Sequence, residues 1–270
     1  MTDAMGFFTD TTVCIGCKAC EVACKEWNQL PATNGGQNTL SGLSYDNTRK
    51  LDGTHWRHVK FIEDFSQDRS QSAWRLMSDV CKHCVQAACL DVCPTGAIIR
   101  TEFDTVVIQS DVCNGCRDCI AACPFDVIGI NEATGTAQKC TLCYDRMQNG
   151  LTPACAKACP TASIQFGPIS ELRQRADARV DQLHNQGQTG AYIYGKEDML
   201  GGLNSFFLLM DKPEKYGLPV HPTLATVRNA PSWLFSAGSA IVAGVIGLLA
   251  FRKNRMDAFA AERQTVDREP

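Results

Sequence analysis

Sixteen cysteines, and the way they are spaced, constrain this chain more than any other feature. They fall into four groups of four with none left over: Cys14, Cys17, Cys20, Cys24; Cys81, Cys84, Cys89, Cys93; Cys113, Cys116, Cys119, Cys123; and Cys140, Cys143, Cys155, Cys159. The third group, Cys113–Pro124, reads C-N-G-C-R-D-C-I-A-A-C-P. That is the C-x2-C-x2-C-x3-C-P spacing that ligates a [4Fe–4S] cube. Two-residue gaps let three thiolates converge on one cluster. Small residues between them, here Asn114 and Gly115, let backbone N–H groups turn toward the sulfurs and offset negative charge. Pro124, with no N–H and a fixed φ, suits a chain leaving the site.

A disulfide scaffold would come with a short chain and an export signal. Residues 1–12 have neither a basic start nor an apolar run long enough to be one. Zinc also takes CxxC pairs, but four thiolates packed into so short a stretch, twice over, fit cubes better than single tetrahedral ions. The net charge of −3 is too small to argue for nucleic acid or for a strongly acidic partner. With 270 residues there is room for a real core.

In chain order, C-I-G-C-K-A-C-E-V-A-C repeats the spacing of the third group but is followed by Lys25 rather than proline. A loop carrying three ligands and a short helix carrying the fourth is expected. Residues 28–80 then form a long insertion, rich in Gly, Asn, Ser and Thr over 33–48, with short strands expected at His58–Glu63 and Ala73–Met77. An insertion of this size between cluster motifs reads as contact surface for a partner. The second group opens its middle gap, from Cys84 to Cys89, and leads through a β-hairpin (strands near 97–100 and Thr105–Gln109) into the third. A second hairpin turns at Thr134–Gly135. The fourth group reaches its last two cysteines only after a long loop. P-T-G-A-I after Cys93 and P-T-A-S-I after Cys159 echo one another. The expected fold is α+β, a duplicated bacterial ferredoxin over 1–168 carrying four [4Fe–4S] clusters, with all sixteen cysteines as iron ligands.

In two-cluster ferredoxins the fourth cysteine of a motif crosses to the neighbouring cube. One hairpin separates the second and third groups, so those two are paired. One cube then takes Cys81, Cys84, Cys89 and Cys123, and its neighbour takes Cys93, Cys113, Cys116 and Cys119. The outer groups are left to each other, giving Cys14, Cys17, Cys20 with Cys159, and Cys24 with Cys140, Cys143 and Cys155. Spacing alone leaves open the other partition, first group with second and third with fourth.

Residues 169–232 differ in character. Ile169–Leu183 places Ile169, Leu172, Ala176, Val180 and Leu183 on one helical face, with Ser170 as N-cap and its arginines as a solvated face. Strand-like runs follow at Ala191–Tyr194 and Ser205–Met210, and 211–232, with its four prolines, reads as an extended linker. Trp233–Phe251 carries no charge and, at about 1.5 Å per residue, spans roughly the 30 Å hydrocarbon core as a single transmembrane helix. A polar tail, 252–270, completes the chain. Arg252, Lys253 and Arg255 favour a cytoplasmic C-terminus, which puts the ferredoxin part on the outer face of the cell membrane; the cytoplasmic face is the alternative. An exported domain of this kind would travel folded with a partner bearing a twin-arginine signal.

C-I-G-C-K-A-C-E-V-A-C-K-E-W-N, C-N-G-C-R-D-C-I-A-A-C-P-F and K-C-T-L-C-Y-D-R…P-A-C-A-K-A-C-P-T resemble the four-cluster electron-transfer subunits of the molybdopterin oxidoreductases. The likeness is nearest to the iron–sulfur β subunit of membrane-bound formate dehydrogenase. It rests further on G-G-L-N-S-F-F-L-L-M-D-K-P-E-K-Y-G-L-P-V-H-P over 201–222 and on the single C-terminal span. The resemblance implies a catalytic α subunit holding molybdenum or tungsten bis-pterin and a membrane cytochrome b (γ) subunit that reduces quinone, with this chain conducting single electrons between them. It implies the same cysteine partition, outer with outer and inner with inner. No nucleotide loop or Ser-His-Asp pattern is present, so no catalytic residue is assigned to this chain. His83, between two ligands, reads as a packing or surface residue, with tuning of a nearby centre as its alternative; His55, His58, His184 and His221 lack ligand spacing. The same role beside another molybdopterin enzyme or a hydrogenase, or a free-standing membrane polyferredoxin, are the alternatives.

Overall fold

Two long apolar runs lie side by side at the centre of the molecule. In the computed structural model, which describes residues 3–32, 45–46, 48–66, 72–197 and 199–266, strand β1 (Met5–Asp10) runs parallel to a strand at Ser205–Leu209, pairing Phe8 with Phe206. Both are covered on both faces, which is why M-G-F-F and S-F-F-L-L show no polar alternation. Phe8 and Phe206 stack with ring centroids 5.5 Å apart. Gly6 allows the close approach: a Cβ there would sit 1.9 Å from the Asn204 carbonyl oxygen.

Hung from this sheet, in chain order, are α1 (Ala19–Trp27), the hairpin β2 (Arg57–Phe65) and β3 (Ser72–Val80), α2 (Ala88–Asp91), and the hairpin β4 (Ile98–Arg100) and β5 (Val106–Ile108). Next come α3 (Asp118–Ala122), the hairpin β6 (Gly129–Asn131) and β7 (Thr136–Gln138), α4 (Tyr144–Gln148), α5 (Ala154–Lys157), β8 (Ile164–Pro168), α6 (Ile169–Asn185), β9 (Tyr192–Tyr194) and β10, the Ser205–Leu209 strand. The sheet order is β8-β1-β10-β9. β8 pairs antiparallel with β1, Thr9 opposite Ile164, and this brings the first and fourth cysteine groups to one end of the sheet. Helix and strand are mixed, as expected, and both expected hairpins are present.

Several expectations are corrected. α1 and α3 already hold the third cysteine of their groups, Cys20 and Cys119, so the loops carry two ligands rather than three. α6 is capped by Pro168, and its first residue, Ile169, donates its N–H to Ala4 O at 2.8 Å, so Ser170 is not the N-cap. Nor is its arginine face wholly solvated: Arg179 Nε pairs with the buried Asp10 at 2.9 Å. The insertion is not only surface. Arg57, His58, Val59 and Met77–Val80 are buried at the base of the β2–β3 hairpin, while Phe65 and Trp74 near its far end are exposed. Its Gly/Asn-rich part, 33–44 and 47, lies outside the described residues.

The proline-bearing stretch is docked rather than free over its first half. Tyr216 and Leu218 are buried, Tyr194 donates to Pro219 O at 2.6 Å, and Lys60 donates to Tyr216 O at 2.8 Å. Two aromatic rings outweigh what the prolines suggest.

The second compact unit is helix α7 (Ala225–Val266). It is longer at both ends than the apolar stretch and takes in most of the expected polar tail, where no glycine or proline stops it. Ala225–Ala258 is long and apolar enough to cross a membrane by length and composition.

Candidate iron–sulfur centres

All four cysteine groups begin with the same backbone device. The residue before each second cysteine is left-handed: Gly16 (φ 67°), His83 (φ 44°), Gly115 (φ 72°) and Leu142 (φ 58°). The turn folds each CxxC so that backbone N–H groups face sulfur, as where Leu142 N–H meets Cys140 Sγ at 3.3 Å. At the first and third groups glycine meets this requirement without strain. At the second and fourth, His83 and Leu142 accept the strain because their side chains are wholly buried. His83 Nδ1 accepts the Val106 N–H at 3.2 Å, and burial, with Lys139 and Arg57 near, drives its basicity well down. It is a packing residue, neutral and internal.

The folded chain brings the cysteine sulfurs near one another as follows. Cys14, Cys17, Cys20 and Cys159 line one cavity. Cys93, Cys113, Cys116 and Cys119 line another. Cys24 has Cys140, Cys155 and Cys143 as electrostatic neighbours, and Cys84 has Cys81, Cys123 and Cys89.

Consecutive sets are electrostatic neighbours. Cys155 acts on Cys20, Cys81 on Cys140, and Cys119 on Cys89. Each set thus neighbours the next in the order Cys14/17/20/159, Cys24/140/143/155, Cys81/84/89/123, Cys93/113/116/119. Cys17 and Cys116, at the two ends, are exposed, whereas every cysteine of the second set is buried.

The donor chemistry fits iron–sulfur cubes. All sixteen thiols are free. Burial pushes Cys20, Cys89 and Cys140 up to about 12 and Cys119 and Cys143 to about 11, with neighbouring sulfurs adding to the rise, so these groups become thiolates only against a metal's charge. Among the described residues, buried Arg57 Nε has no acceptor. Three-residue hairpins such as β4–β5 are marginal alone, and metal binding at their ends supplies folding energy they lack.

Residues of the second group are held by a segment far along the chain: Val85 N–H donates to Gly202 O (3.0 Å), Gln86 N–H to Leu200 O (2.8 Å) and Ser205 N–H to Lys82 O (2.9 Å). Reasoning from the sequence missed Arg57 and Lys139, buried cations lodged among the cysteines. Their only sequence signal is adjacency, Lys139 to Cys140.

Comparison with known proteins gives the cluster type and the family. Residues 13–97 and 72–169 each match a 4Fe-4S dicluster domain, and two such domains with sixteen cysteines amount to four [4Fe–4S] clusters. The first match spans groups one and two in sequence, which does not bear on which sulfurs meet in space. The chain is 41% identical to the formate dehydrogenase iron-sulfur subunit of Haemophilus influenzae over 219 residues, 80% of this chain and 68% of that protein. It is 40% identical to the formate dehydrogenase-O iron-sulfur subunit of Escherichia coli over 80% of this chain and 71% of that one. One polypeptide of the E. coli anaerobic dimethyl sulfoxide reductase is 38% identical over 65% of this chain and 78% of its own length.

Proposed function

This protein belongs to the family of formate dehydrogenase iron–sulfur subunits, and we propose that it conducts electrons from a molybdenum- or tungsten-pterin subunit oxidising formate to a cytochrome b in the membrane. The row of four sulfur sets, reaching the surface at Cys17 and at Cys116, is the observation that carries this reading. Bound cubes supply the capacity to take up and release one electron each. The chain's own part is to hold them. Cys14, Cys17, Cys20 and Cys159 ligate the first; Cys24, Cys140, Cys143 and Cys155 the second; Cys81, Cys84, Cys89 and Cys123 the third; Cys93, Cys113, Cys116 and Cys119 the fourth. Leu142 and His83 keep water from the middle two, and buried cations offset their negative charge.

We read residues 1–168 as the double ferredoxin domain and 169–232 as its docked extension. The apolar part of α7, 233–251, crosses the bilayer. Trp233 marks one interface and Arg252, Lys253 and Arg255 a cytoplasmic end, so the clusters face the outer side. Removing everything after Leu224 is expected to leave four clusters in a protein released from the membrane fraction.

The test of function is purification with the catalytic partner: added formate should reduce the clusters of this chain, so that the EPR signals of their reduced state appear. The likeness to a dimethyl sulfoxide reductase polypeptide supports a second reading, in which the same wire serves a reductase. Reoxidation of the reduced signals by dimethyl sulfoxide, with formate inert, decides for it.

A further inference from the structure

We propose that Arg57 and Lys139 are the fixed countercharges of the cluster row, one at each of its first two junctions, and that they set the potentials of the clusters beside them. The inference rests on the cluster-bearing reading above.

Arg57 is 2% exposed. Its Nη2 donates to Cys155 Sγ at 3.2 Å, and its Nη1 lies 3.3 Å from both the carbonyl and hydroxyl oxygens of Ser78. That hydroxyl lies 3.2 Å from Cys20 Sγ. One guanidinium therefore links a sulfur of the first set to a sulfur of the second through a single serine. Its flank stacks on Phe7, 4.8 Å from the ring centroid, which fixes it in place. Lys139, also 2% exposed, repeats the role one junction on. Its ammonium bonds Val106 O and, at 3.1 Å, Cys140 O, with Cys81 and Cys89 of the third set and Cys140 of the second as its charged neighbours.

A buried cation without a counterion is costly. Neither Arg57 nor Lys139 pairs with a carboxylate among the described residues, and the groups that can balance them are the cysteine sulfurs. Lys82 provides the contrast. Equally buried, it is bonded to Asp79, which Lys60 also meets at 3.0 Å, so it has the carboxylate partner that Arg57 and Lys139 lack, although Cys84 and Cys123 also feel its charge. Lys82 is a structural ion pair, whereas Arg57 and Lys139 are charges reserved for what the sulfurs hold. An arriving electron adds one negative charge beside them, and a fixed positive charge favours the reduced state on either side of it.

The experiment is an EPR-monitored redox titration of the full-length protein in its complex, with iron counted for every variant. Arg57→Gln should lower the potentials of the first two clusters by at least tenfold in the one-electron equilibrium, about 59 mV. The fourth should stay in place. Lys139→Gln should lower the second and third by as much, and Arg57→Lys should restore most of the first loss. Removing a cation together with its carboxylate, Lys82→Met with Asp79→Asn, keeps the net charge and should move all four by less than tenfold. With iron intact, shifts below tenfold in both glutamine variants overturn the proposal. If both lose iron, R57K and K139R decide: unchanged potentials support fixed charge, and a fall as large as charge removal predicts overturns it. Wild-type iron far below about 16 per chain is a failure of the cluster-bearing reading instead.

Discussion

The outer and inner cluster pairs are built from similar cysteine motifs but are closed in different ways. The inner pair is local. The β4–β5 hairpin carries the chain from Cys93 to Cys113, and the cradle at Gly115 is shaped by backbone alone. The outer pair is assembled across the chain, because the β1–β8 pairing brings Cys159 beside Cys14. It is also drier at its centre: Cys20, Cys24, Cys140, Cys143 and Cys155 are all buried, and an arginine sits among them. A local pair can tolerate solvent at its rim, whereas a pair closed at long range needs the core around it and, with that core, internal compensation for charge.

The largest expected effect follows from this asymmetry. Cys155→Ser removes a buried outer ligand and the partner of Arg57, so both outer clusters should be lost, leaving about 8 Fe per chain. Cys116→Ser, at the exposed end of the inner pair, should cost one cluster and leave about 12. Iron analysis of the two purified variants checks the difference, and equal losses would erase it.

The cradles sharpen the comparison further. A Cβ on Gly115 would lie 2.3 Å from Gly135 O, a backbone atom that cannot yield, in addition to strain at φ 72°. Gly115→Ala should cost about 3 kcal/mol and displace the fourth cluster. On Gly16 the same Cβ meets the side chains of Phe61 and Leu76 at 2.9 and 3.1 Å, which can shift. Gly16→Ala should cost about 1 kcal/mol, with iron retained. Thermal unfolding with iron counts separates the two.

A smaller effect belongs to the outer half alone. Arg179→Ala leaves Asp10 buried without its cation. Asp10 also holds the turn into Cys14 through Thr12 N–H at 2.9 Å. Arg179 is 24% exposed, so the loss should be about 2 kcal/mol, below the range for a fully buried pair. A double variant with Asp10→Asn should recover part of it, and denaturant unfolding measures both.

Much of this was legible in the sequence, and what was not has physical reasons. Cysteine spacing announced four cubes, the hairpin turns announced themselves, and the apolar face of α6 emerged with Ile169, Leu172, Ala176 and Leu183 buried. Arg57 was hidden because R-H-V-K-F-I-E reads as a half-exposed strand, and nothing local says that sulfur will balance an arginine. The left-handed turns at His83 and Leu142 were hidden because no glycine marks them. β1 was missed since its burial comes from a partner strand near residue 205. The stretch after Met210 reads as linker by its prolines, but Tyr216 docks it.

The crossed partition of the sixteen cysteines underlies all of these expectations. It can be tested by counting iron in the double variant Cys93→Ser/Cys116→Ser, purified with its partner. Those two sulfurs belong to one cube if the second and third groups exchange their fourth ligands, and the double variant should then hold about 12 Fe per chain, no fewer than Cys116→Ser alone. About 8 Fe would mean that they serve two different cubes, and the row described above would be wrong.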